Sequence, residues 1–271
     1  DAFLASCLLS PFPYLLSHPE KMGVLSMAGK GVWWIFFSYI AFSSVLFAYR
    51  ICTQYLFGDF EKWDETLPRL NKLWFPAFGM YVHWIGGFLI LVVGLVQLFA
   101  ITRSWDMRVH RVLGTIYITG CFMASLGGNL FIYTSGGCVG GLNMDIAFSI
   151  AGWTMFILAA MTLYHARKGN RTAHRNWAIR LWGQGIASLM YRVWYAVAAL
   201  VGYETNSFQD FHRPVDEFFD WWFFVPNLVV CEIVVYFITT QEKHESELQE
   251  ALLEQPEEEE EAREEGQEGE R

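Results

Sequence analysis

Two kinds of residue in this chain are out of place in their surroundings: single charged groups deep inside apolar runs, and histidines at the ends of such runs. Arg192 lies within the stretch from His174 to Leu200, which is otherwise apolar enough to cross a bilayer. Read as a helix, this stretch puts Arg180, Gln184, Ser188, Tyr191, Arg192 and Tyr195 on one face and Ile186, Leu189, Val193, Ala196 and Leu200 on the other. Lipid offers a polar stripe no hydrogen bonds, so the first face must look onto protein or water. His83 and Glu232 are the corresponding groups in two other apolar runs. At about 1.5 Å per residue, Glu232 lies about 15–18 Å, and Arg192 and His83 about 12–17 Å, in from one common surface. An isolated charge at that depth is costly, so the sequence predicts an Arg192–Glu232 pair, with His83, Tyr191, Tyr195 and Asn227 completing the network. Such a network either lines a site for a small molecule, a proton or a lipid headgroup, or merely fixes helix register.

His110 and His174 hold equivalent places at the ends of two further runs, and His165 closes another. Facing imidazoles on two helices are the chemistry that holds a haem iron axially, with arginines meeting the propionates, so haem b is the one cofactor expectation. The simpler reading is that these histidines meet headgroups or cap helix ends. No Walker loop, HExxH, dinucleotide fingerprint or nucleophile triad is present, so no catalytic residue is expected. Five cysteines without a CxxC argue against a zinc site or a disulfide scaffold. Cys52 and Cys138 both fall in loops on one side of the topology set out below, which is compatible with a single disulfide if that side is oxidising.

The elements that must position these groups follow from composition. Of 271 residues 54% are hydrophobic and only 17% charged, with 12 Trp and 23 Phe, which suits a polytopic all-α membrane protein rather than a soluble enzyme. Six spans are expected: Val32–Ala48, Trp74–Ile101, Val112–Thr134, Ile146–Ala166, Ile179–Tyr203 and Trp221–Gln241. They form a transmembrane domain over 30–241, joined by mostly short loops as in an up-and-down bundle. Residues 1–29 are an N-terminal segment, apolar but broken by Pro11 and Pro13, read as a processed targeting piece or an interfacial anchor. Residues 242–271 hold half of the acidic residues and are expected to be a disordered tail. With that tail set aside the net charge of -9 largely disappears, which argues against nucleic acid as a partner.

Orientation comes from the loops. Arg103, Arg108 and Arg111 follow the second span, and Arg167, Arg171, Arg175 and Arg180 follow the fourth, whereas the opposite loops are rich in Asp and Glu. The positive-inside rule puts this basic cluster and both termini on the cytoplasmic or equivalent side, where anionic lipid headgroups are the expected contact. Phe60, Trp63, Leu67 and Leu70, and Phe208, Phe211, Phe218 and Phe219, are expected to lie on the membrane surface at the other side.

Two patterns point to how the spans pack. His83, Gly87, Ile90, Gly94 and Gln97 share one face of the second span, and Gly114, Tyr117, Cys121, Ala124 and Gly128 share one of the third, as closely packed membrane helices require. An R-x6-H-R pattern occurs twice, at Arg103–Arg111 and Arg167–Arg175, which fits either a duplicated hairpin or the cationic flank of any inner loop. These pieces combine into H-W-I-G-G-x5-V-G-L-V-Q from His83 to Gln97, H-R-V-L-G-T-I-Y from His110, H-R-N-W-A-I-R from His174 and P-N-L-V-V-C-E ending at Glu232. In that combination the chain resembles the predicted membrane-protein family called domain of unknown function 2306, over about residues 30–241. The resemblance implies a multi-pass membrane protein with His83, His110, Arg111, His174, Arg175, Arg192 and Glu232 at signature positions, and implies no reaction. Ala178 stands where the family tends to carry Met, and the acidic tail is outside the pattern.

Overall fold

The computed structural model describes residues 38–57, 74–102, 106–203 and 213–268, with only the backbone for 98–102 and 251–268. The N-terminal segment, Arg103, and the loop residues Phe60, Trp63, Leu67, Leu70, Phe208 and Phe211 lie outside the described residues. Every regular element among the described residues is helical. We number them α1 (38–50, continued by a π-helical turn Ile51–Leu56), α2 (Trp74–Thr102), α3 (Met107–Ser135), α4 (Gly141–Arg167), α5 (Arg171–Gly185), α6 (Ala187–Leu200), α7 (Pro214–Trp222) and α8 (Val225–Glu268).

Local chemistry sets the helix ends. Asp106 caps α3 by accepting from the Arg108 amide at 2.9 Å, and Asn170 caps α5 by accepting from Ala173 at 3.0 Å. Gly136, at φ 82°, terminates α3 in the left-handed region, which leads the chain into the α3–α4 hairpin.

The chain divides into a first unit ending at Cys231 and a second from Glu232 onward. In the first unit α2 and α3 pack backbone to backbone: a Cβ on Gly127 would stand 2.5 Å from the Gly79 carbonyl oxygen, and Gly86 abuts Gly120 and Ala124. Their shared core with α4 and α5 is built on Ile90, Tyr117, Cys121, Leu158 and Leu181. A second cluster brings Ala151 of α4, Ala187 of α6 and Phe223 together. On the outside of α4, Ile146, Ile150, Trp153 and Ile157 remain exposed as one apolar stripe, the kind of surface that acyl chains cover.

Among the described residues, four stretches are long and apolar enough to cross a membrane: Trp74–Gln97, Met107–Ser135, Gly141–Arg167 and Pro214–Glu250. The expected second, third and fourth spans correspond to α2, α3 and α4. The fifth differs. It is divided at Ile186 into α5 and α6, and the Gly183 carbonyl at the break accepts from the Asn227 side chain at 3.2 Å. Polar groups that re-satisfy a freed backbone in this way are what make a broken helix tolerable at membrane depth.

The tail also differs from expectation. In the second unit α8 runs on to Glu268, so the segment expected to be disordered is helical, as its Glu, Leu, Ala, Gln and Lys content favours. A Lys243–Glu247 pair at 3.5 Å, spaced i,i+4, supports it in the usual way for an exposed helix. Cys52 and Cys138 are both free thiols, so the disulfide considered from the sequence is not formed. Cys138 is instead packed beside the Ala48, Ile51 and Phe131 cluster, with its amide donating to Asp145 Oδ1 at 2.6 Å.

Candidate functional site

Inside the first unit, α1 with its π turn, α2, α3, α4, α5 and α6 enclose a cavity of about 340 Å³. Its walls are mostly aromatic and aliphatic, including Phe47, Trp84, Phe131, Phe148 and Phe223. A few polar side chains face it: His83, Asn129, Gln184, Ser188, Tyr191 and Arg192. The polar face read from the sequence of the fifth span thus supplies Gln184, Ser188, Tyr191 and Arg192, with the helix break at Ile186 lying between the first two.

The hydrogen bonds decide what these groups can do. His83 donates from Nδ1 to the Ala124 carbonyl at 2.6 Å, which leaves Nε2 as the acceptor of the neutral ring. Gly128 makes room for that ring, since a Cβ there would come within 2.9 Å of Nδ1. Asn129 donates its amide to the Ser125 carbonyl at 3.0 Å, and Gln184 donates to the Ala151 carbonyl at 2.9 Å. Because a carbonyl receives each NH2 group, the amide orientations are fixed by their partners, and Asn129 Oδ1 and Gln184 Oε1 are left buried without a donor. The two residues are only 4% and 1% exposed, so bulk water does not compensate them.

Arg192 stays exposed while lining the cavity. Its Nη1 donates to the Ser188 carbonyl at 2.7 Å, and the guanidinium lies over the Phe47 ring at 3.7 Å from the centroid. No carboxylate of the first unit bonds to it among the described residues. Glu232, the partner expected from the sequence, is the first residue of the second unit, and its side chain is exposed.

Other expected members of the site have different duties. Asn227 donates to the Gly183 and Phe223 carbonyls and does not line the cavity. Tyr195 donates to Asp216 Oδ1 at 2.6 Å, and Tyr191, at the cavity wall, donates to Asp220 Oδ1 at 3.3 Å. Asp220 also accepts from Asn143 at 3.0 Å, and Trp221 donates to Asn143 in turn. Asp216 and Asp220 are both buried on one face of α7, so the carboxylates in the network are these two, which the sequence shows only as loop acids.

At the other end of the bundle the histidine rings of His110 and His174 lie 6.3 Å apart, centroid to centroid. Arg108, Arg111, Arg167 and Arg171 are exposed at these helix ends, Arg180 lies over the Trp177 ring, and Arg175 is buried with Asn176 accepting from it. Among the described residues no group of three or more His, Cys, Asp or Glu side chains is placed to hold a metal ion.

The family model described as a predicted membrane protein, DUF2306, matches residues 80–235. The chain belongs to this family. The DUF2306 match takes in His83, Asn129, Gln184, Tyr191, Arg192, Asp216 and Asp220, together with His110 and His174. It leaves out Phe47, Ile51 and Tyr55, which close one side of the cavity, and the whole acidic tail. No curated protein and no solved structure matches the chain.

Asn129 was legible as a lone amide inside an apolar run, the signal that singled out His83 and Arg192. It stands one position beyond the Gly128 face, so a reading by small-residue faces passes over it.

Proposed function

We propose that this membrane protein binds a small amphiphilic molecule in the cavity between α2, α3, α5 and α6. The observation that carries the reading is one mostly apolar space lined by Asn129 and Gln184, two residues whose Oδ1 and Oε1 are buried without donors. Each costs about 1–3 kcal/mol unless something donates to it. A ligand with hydroxyl or amine groups removes that cost, and His83 Nε2 is a third acceptor for it. Arg192 favours an acidic group at the other end of the same molecule, and the aromatic walls favour an apolar body between the two. A volume of about 340 Å³ falls at the small end of ligand pockets.

The test is recovery of the occupant. Full-length protein is purified from membranes in mild detergent, extracted with organic solvent and analysed by mass spectrometry, beside Gln184→Met, Asn129→Leu and Arg192→Gln. The wild type yields a near-stoichiometric, negatively ionising species bearing hydroxyl or amine groups, and each substitution reduces it at least tenfold. Equal recovery from all four folded proteins overturns the reading.

A further inference from the structure

We propose that His110 and His174 form a bis-imidazole site that holds the iron of one haem b between α3 and α5. The two rings stand with centroids 6.3 Å apart and planes at 84°. Metal–imidazole bonds of about 2.0–2.1 Å, with each ring nitrogen about 1.1 Å from its centroid, put two centroids about 6 Å apart across one shared metal.

The remaining nitrogens are arranged as a ligand pair needs. His110 Nδ1 donates to Gln97 Oε1 at 3.1 Å, and the Gln97 amide donates back to the His110 carbonyl at 2.9 Å, which fixes the amide's orientation. His174 Nδ1 donates to the Thr162 carbonyl at 3.0 Å. In both rings Nε2 is therefore the nitrogen that keeps its lone pair, and the Nδ1 anchor is the outer-shell contact that orients metal-bound histidines. Two imidazoles do not complete the shell of a bare ion, and no third protein ligand joins them among the described residues. A tetrapyrrole brings four equatorial nitrogens of its own, so two axial protein ligands are all that it requires. Arg111 and Arg175 each follow a ligand histidine directly in sequence, so a cation lies within one helical turn of each ligand. Neither histidine lines the cavity, so this site stands independently of the ligand proposed there.

The experiment is a visible spectrum of the full chain, expressed with haem supplied and purified in mild detergent, oxidised and then reduced with dithionite. Haem is counted as the pyridine haemochrome, and bare transition metals by mass spectrometry. About one haem b per chain with a six-coordinate, low-spin spectrum is expected. His110→Ala and His174→Ala each lower the content at least tenfold, while His165→Ala leaves it unchanged. Should the alanine variants fail to fold, His110→Met and His174→Met keep a side chain able to bind haem iron and shift the reduced spectrum. A folded chain without a Soret band, a haem whose spectrum none of the His110 and His174 substitutions alters, or a stoichiometric bare metal in its place overturns the proposal.

Discussion

Replacing Asn129 by Leu and Gln184 by Met should invert the stability ranking of wild type and variant according to whether the cavity is filled. In the emptied protein each substitution deletes an orphan acceptor whose burial costs about 1–3 kcal/mol. It also deletes one amide-to-carbonyl bond, Asn129 to Ser125 or Gln184 to Ala151. Such a bond contributes about 0.6 kcal/mol on average in a membrane protein. The variants should therefore be more stable than wild type by about 0.5–2.5 kcal/mol when empty. With its native occupant at about 100 times the dissociation constant, the wild type gains about 2.7 kcal/mol that the variants lack, and the order reverses. Reversible unfolding by SDS in mixed micelles, on protein as isolated and after exhaustive detergent exchange, reads both differences. Variants less stable than wild type by the same amount in both preparations would refute the reasoning, because the acceptors would then be structural.

Gly128→Ala should push against His83 Nδ1, break its 2.6 Å bond to Ala124 and destabilise by about 1–3 kcal/mol, measured in the same unfolding assay. Tyr195→Phe removes the donor at 2.6 Å from the buried Asp216 carboxylate and should cost about 1–3 kcal/mol, whereas Tyr133→Phe, at an exposed ring, should cost under about 0.5 kcal/mol. Burial and the neighbouring Asp145 carboxylate push the Cys138 thiol well above its ordinary range. Its alkylation by iodoacetamide near neutral pH should accordingly be much slower in the folded chain than after unfolding. The unfolded chain loses this proton first, so the Cys138 contribution to stability should fall as pH rises through the ordinary thiol range, and Cys138→Ser should flatten that limb.

Length and apolarity were enough to locate α2, α3 and α4, because a helix crossing hydrocarbon must satisfy its own backbone and little else has to be known. The division of the fifth span was not visible. No proline marks Ile186, and the donor that stabilises the break, Asn227, comes from a helix 44 residues away. Arg192, His83 and Gln184 were identifiable as polar groups on membrane helices, and the cavity brings them together. The carboxylates Asp216 and Asp220 were not, since an acid in a connecting segment looks the same in sequence whether it faces water or folds inward on a short helix. Beyond Gln241 charge density argues for solvation, but glutamate-rich segments also have high helix propensity and solvation does not oppose helix formation, so α8 continues there.

The glycine contacts between α2 and α3 have a bearing on traffic. Where Gly79 meets Gly127 and Gly86 meets Gly120, main chain touches main chain, leaving no gap a methylene wide. That seam is a fixed bulkhead, because opening it would mean parting two whole helices. Any guest must enter or leave through other walls, where rings such as Phe47 and Tyr55 form the barrier and a turn about a side-chain bond is enough to move it aside.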